Sequence, residues 1–204
     1  MAERRWSRRA ALGLALSGSA TALVVARRTS RVDVGAAAGV RSTPSELPIL
    51  SAAPAPSLGP ASGWLNSPPL TVADLVGRVV LYDFWTFACV NCQHTVPSVI
   101  AWDARYRVDG LTVASIHTPE FDYEADPASV QSFVAAHGIA YPVALDPKRL
   151  IWRAFDNHYW PAFYLYDRQG RWRYHQIGEG GYADTEDAIR SLLGVAAGAA
   201  RAVA

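Results

Sequence analysis

This chain of 204 residues has only two cysteines and a single methionine. So little sulfur excludes a scaffold stapled by several disulfides, and it leaves no second cysteine pair to complete a tetrahedral zinc site. There is no Met-rich or His-rich tract, and His94, His117, His137, His158 and His175 are scattered. Basic residues are scarce where a fold is expected: Arg4, Arg5, Arg8, Arg9, Arg27, Arg28, Arg31 and Arg41 all precede it, against Glu3 and Asp33. The net charge of +1 therefore conceals a mildly acidic remainder. With no basic patch interleaved with aromatics, nucleic-acid binding is not expected. No internal repeat is present.

Against these absences, the two cysteines stand together, in Asp83-Phe-Trp-Thr-Phe-Ala-Cys-Val-Asn-Cys92. The apolar run Val79–Trp85 before them reads as a strand, and residues from Val90 to Arg107 read as a helix, kinked at Pro97, which lacks the N–H that the preceding turn needs. A C-x-x-C pair at such a junction puts Cys89 at a helix N-terminus. There, unpaired N–H groups and the macrodipole favour the thiolate, the form that attacks disulfides. Cys92, one turn inward, is placed to attack a mixed disulfide formed by Cys89. Thiol–disulfide exchange is the expected chemistry.

The chain divides by composition. Ser7-Arg-Arg-Ala-Ala-Leu12 precedes an apolar run from Ala10 to Ala26, and Arg27-Arg28 follows it. Residues 1–28 thus read as an export signal or signal anchor, with Ala20-Thr-Ala22 as a candidate cleavage site. The arginine pair resembles a twin-arginine signal, although Ala11 stands where that motif has Phe. A helix over residues 10–26 would span about 25 Å, a little less than a hydrocarbon core of roughly 30 Å, so a membrane tether and a cleaved signal both stay open. Residues 29–62, rich in Ala, Gly, Pro and Ser, read as a linker with an end-to-end distance on the order of 30 Å. Residues 63–195 form the expected domain and 196–204 a tail.

Within the domain, a capped turn or short helix is expected over Thr71–Gly77, strands over 111–117 and 143–145, and helices over 127–137, 147–155 and 185–193. A strand over 159–166, entered through Pro161, turns at Asp167-Arg-Gln-Gly170 into a hairpin partner over 171–177. This order implies an α/β fold with a mixed sheet covered on both faces.

The spacing D-F-W-x-x-x-C-x-x-C, with proline five residues after the second cysteine and a later strand entered through proline, resembles the thioredoxin fold. Trp64-Leu-Asn-Ser-Pro-Pro-Leu70, Phe84–Cys92, His117-Thr-Pro-Glu-Phe121, Tyr159-Trp-Pro161 and Gly178-Glu-Gly180 are similar to motifs of its exported TlpA/DipZ-like, ResA-like branch. The resemblance covers about residues 63–193. It implies that Cys89 is the nucleophile and Cys92 the resolving cysteine. It also implies that Asp83 moves the Cys92 proton, that Glu120 is a second acidic proton carrier, and that Pro161 is the cis-proline of the site. Trp85 and Trp160 would then wall a substrate cleft.

Physical reasoning adds that an aspartate inside an apolar strand should have a raised pKa, which suits a base for the Cys92 proton better than a merely hydrogen-bonded core residue, whereas Glu120 reads equally as a solvated loop carboxylate. The implied partners are cysteine-containing protein substrates and a membrane thiol–disulfide electron donor, on the extracytoplasmic face, with no cofactor and no metal. Direction is expected to be reductive. A copper chaperone using both thiolates with His94 or His158 is one alternative. A thiol peroxidase is another, since Thr86 sits three residues before Cys89, although Tyr82 occupies the proline position of the peroxidatic motif.

Overall fold

Every residue of Val79–Trp85 is buried, which in a seven-residue strand requires cover on both faces. The computed structural model describes residues 47–196, and in it this strand, β2, lies in the interior of a six-stranded sheet. The others are β1 (Gly63–Leu65), β3 (Leu111–His117), β4 (Val143–Leu145), β5 (Ala162–Tyr166) and β6 (Trp172–Ile177), in spatial order β1-β4-β3-β2-β5-β6. β2, β3 and β4 are parallel, whereas β1, β5 and β6 pair antiparallel with their neighbours. The sheet is mixed, as the order of elements implies.

Alternation along β2 separates two cores. Val79, Leu81 and Trp85 join one, which contains residues of α2 (Val90–Tyr106), α3 (Pro127–Ala136) and α5 (Tyr182–Leu193). Val80, Tyr82 and Phe84 join the other, packed by α4 (Leu150–Ala154) and by Leu75 of α1 (Val72–Leu75). Asp83 is therefore on the α2 side, directed by strand periodicity alone.

Some boundaries differ from the sequence expectation. The helix expected over 147–155 is only α4, because Arg149 adopts a left-handed backbone (φ 54°). Its start is held by the buried Asp146 carboxylate, which accepts N–H bonds from Leu150, Ile151 and Trp152 at 2.7, 3.2 and 2.8 Å. α5 begins at Tyr182 rather than 185, and β5 at Ala162 rather than 159. α2 runs continuously through Pro97.

The part of the expected linker that is described, residues 47–62, packs on the domain. Leu58 is buried in the second core, Ser51 bridges Trp172, and Arg173 bonds the Leu47 and Pro48 carbonyls. Prolines lose little entropy on ordering, so two leucines and a few backbone bonds suffice to hold a segment whose composition reads as disordered. The signal or anchor over 1–28, the rest of the linker and tail residues 197–204 lie outside the described residues.

Candidate active site

Strand register brings the chemistry to one edge of the sheet. Trp85 pairs with His117, Phe84 with Ala162, and His117 with Leu145, so β2, β3 and β4 end where β5 begins. Three loops emerge there: Thr86–Ala88 before the cysteines, Thr118–Asp126, and Tyr159–Pro161. This is the carboxyl edge of parallel strands, where ligand sites gather in open α/β sheets.

Cys89 is the N-cap of α2, and its sulfur accepts the Cys92 N–H at 3.3 Å. It is half-buried, whereas Cys92 is fully buried against Trp85, Val96 and Val99. Both are free thiols. Burial pushes the Cys92 thiol far above its ordinary range, and the Cys89 sulfur and the Asp83 charge push it the same way. One sulfur is reachable and bonded to a helix amide; the other holds its proton.

Asp83 is buried beneath α2. Ser115 Oγ, on the paired residue of β3, donates to Asp83 Oδ2 at 3.1 Å, while Oδ1 has no partner among the described residues. Burial raises the carboxyl to about 7, only weakly opposed by the Ser115 bond. A carboxyl poised there can take a proton at neutral pH.

The structure separates Glu120 from the acid that faces the cysteine loop. The Glu120 side chain is exposed, whereas Glu124, one turn on, is fully buried. Glu124 Oε1 accepts the Ala88 N–H at 3.2 Å, and Oε2 accepts those of Glu120 and Phe121 at 2.6 and 2.8 Å. Pro119-Glu-Phe-Asp-Tyr-Glu124 offers two glutamates four apart, and only the 3₁₀ turn over Asp122–Ala125 decides which one turns inward.

His117 has a larger part than its scattered position in the sequence implied. Its Nε2 accepts the Phe87 N–H at 3.3 Å and lies 3.3 Å from Thr86 Oγ1, which assigns the ring proton to Nδ1. Burial lowers this imidazole to about 4, with Glu124 acting weakly the other way. Neutral His117 and Glu124 thus hold two consecutive amides, Phe87 and Ala88, directly before the nucleophile.

The two tryptophans differ from the expected pair of walls. Trp85 is 2% exposed and packs edge-on to His117 at 5.0 Å, so it forms the floor of the site and presents no face to a substrate. Trp160 is half-buried, donates Nε1–H to the Thr118 carbonyl at 2.9 Å and packs on Trp152. The Trp160–Pro161 bond is cis. His94 contacts Glu179 at 3.0 Å and His158 contacts Asp156 at 3.1 Å, both in the open. Among the described residues, no three His, Cys, Asp or Glu side chains are grouped to hold a metal ion.

A mixed sheet with a C-x-x-C dithiol at the start of a helix, a buried aspartate on the same side of the sheet and a cis-proline at the same sheet edge is a thioredoxin-like fold with a dithiol site. Residues 54–175 match the AhpC/TSA family, and the chain belongs to that family. It is 44% identical over 142 residues to Protein DipZ of Mycobacterium tuberculosis, a match covering 68% of this chain and about a fifth (20%) of that protein's length. It is 31% identical to the thiol-disulfide oxidoreductase YkuV of Bacillus subtilis, covering 69% of this chain and 94% of YkuV. The solution structure of a thioredoxin-like protein in the oxidized form superposes with a TM-score of 0.64 at 31% identity, covering 69% of this chain and 95% of that one.

Proposed function

We propose that this chain exchanges disulfides with protein cysteines through Cys89 and Cys92, running as a reductant outside the cytoplasm. The observation that supports it most is the asymmetry of the pair, with Cys89 reachable and amide-bonded and Cys92 buried near an Asp83 carboxyl that holds a single side-chain bond among the described residues. The Cys89 thiolate attacks a substrate disulfide, forming a mixed disulfide and expelling one substrate thiolate. Cys92 gives its proton to ionised Asp83 and its sulfur attacks Cys89. The Cys89–Cys92 disulfide forms, the second substrate thiolate leaves, and two electrons have passed to the substrate. A membrane thiol–disulfide donor would return them. Export rests on the arginine-flanked apolar run over residues 10–26, and the reductive direction on the resemblance to the ResA-like branch.

The reduction potential of the Cys89–Cys92 couple tests direction: about −270 mV means a reductant, and about −120 mV an oxidant. Cys89→Ser tests the chemistry itself, and undiminished turnover by that variant would overturn the proposal. The copper reading has less support, since His94 and His158 contact carboxylates rather than the thiols. In the peroxidase reading Thr86 would serve Cys89, but its hydroxyl faces His117.

A further inference from the structure

The exposed aromatics are not spread over the surface. Among the described residues, the large aromatic side chains that stand exposed are Phe121, Tyr123 and Tyr159, and the loops carrying them all emerge at the sheet edge that carries the cysteines. Phe121 and Tyr123 are stacked on each other, 5.9 Å between centroids and 5° between planes, although both remain more than half exposed. A stacked, solvated pair has a broad apolar face with nothing covering it, unlike scattered surface hydrophobes.

Two contacts tie this pair to the nucleophile. Glu124 joins the Phe121 N–H to the Ala88 N–H through its two oxygens, and Ala88 precedes Cys89. Tyr123 also meets Phe87 edge-on at 6.2 Å. The platform is therefore held in register with the reactive sulfur by a fully buried carboxylate. Val90, the residue directly after Cys89 at the start of α2, is 59% exposed as well. An aromatic surface anchored this rigidly beside a reactive atom has the make-up of a recognition hot spot, where aromatic side chains dominate binding.

We infer that Phe121 and Tyr123 form a recognition platform for the protein substrate, receiving a bulky apolar or aromatic side chain that flanks the substrate's cysteine. This rests on the reading of the chain as an enzyme of protein disulfide exchange, and it adds the sequence class that exchange favours. Tyr159 is carried by a separate loop, that of Pro161, and would bear on a different position of the same segment.

The test uses the full chain, recycled by dithiothreitol. The substrates are two peptides that differ only in a Phe or an Ala beside a cysteine held in a mixed disulfide with glutathione. The wild-type protein is expected to give a higher kcat/KM for the Phe peptide by about tenfold, as burial of one large apolar side chain supports. Phe121→Ala and Tyr123→Ala, made separately, should each shrink that ratio severalfold, mainly through KM. Tyr159→Ala should shrink it less. A wild-type ratio near one, or a ratio unchanged in both variants while exchange proceeds, overturns the platform and leaves the exchange reading standing. If the wild-type protein reduces neither peptide, nor oxidised glutathione, the exchange reading fails and the platform with it.

Discussion

Ser115 Oγ donates a hydrogen bond to Asp83, 3.1 Å across the β2–β3 pair, and the other carboxylate oxygen is buried without a partner among the described residues. Burial raises the Asp83 pKa to about 7 against the Ser115 bond, which lowers it, and leaves a base within the field of Cys92. Asp83→Asn should slow release of the mixed disulfide by on the order of a hundredfold, with the first attack by Cys89 much less affected. Single-turnover kinetics across pH 6–9 checks this, and loss of a step near pH 7 in the variant is the expected signature.

The same group makes stability depend on pH. Between about pH 4 and 7 the folded protein keeps the Asp83 proton and the unfolded chain does not, so stability falls as pH rises through that window and is level above it. A shift from 3.8 to about 7 corresponds to a total on the order of 4 kcal/mol. His117 has the opposite sign. Its folded pKa is depressed from 6.5 to about 4, so stability is lost as pH falls from 6.5 towards 4, on the order of 3 kcal/mol. Between pH 4 and 6.5 the two slopes oppose each other. Denaturant melts should show Asp83→Asn losing stability in acid more steeply than the wild-type protein, and His117→Gln losing it as pH rises from about 4 to 7, with no further loss above that.

Cys92→Ser should trap the substrate on Cys89, since Cys92 is the only other thiol. Mass spectrometry after mixing with a peptide disulfide should show a stable adduct of one peptide per chain. Cys89→Ser should show none, because Cys92 is fully buried.

Glu124→Ala removes the acceptor of three backbone N–H groups, at Ala88, Glu120 and Phe121. Orphaned amides should lower stability by about 2–4 kcal/mol. Hydrogen exchange should quicken most at Ala88 and Phe121. Glu120→Ala, at an exposed carboxylate, should leave both stability and exchange near wild type.

Leu58→Ala tests the part of the proline-rich segment that packs on the sheet. Leu58 is 4% exposed in the second core, so its truncation should cost about 2–4 kcal/mol in a denaturant melt. A change below about 0.5 kcal/mol would show that residues 47–62 are not part of the cooperative unit.

Much of this was decided by local sequence. The run Val79–Trp85, apolar except for Asp83, specifies a strand covered on both faces, and its period of two sends Asp83 to the side of α2. Two cysteines three positions apart at the start of a helix must present one sulfur at its N-terminus and turn the other inward. These follow from bond geometry and periodicity within a few residues. Long-range packing decided the rest. Glu120 and Glu124 are equivalent in composition, and only the 3₁₀ turn buries one and exposes the other. His117 is an ordinary strand residue until Thr86 and Phe87 fold over it, and Trp85 becomes a floor only when Phe133 and His117 close around it. Leu47 and Leu58 look like linker residues until the sheet offers them a surface. Periodicity acts over neighbouring residues and is written in the chain, whereas burial depends on partners 30 to more than 100 positions away, which only the assembled sheet brings together.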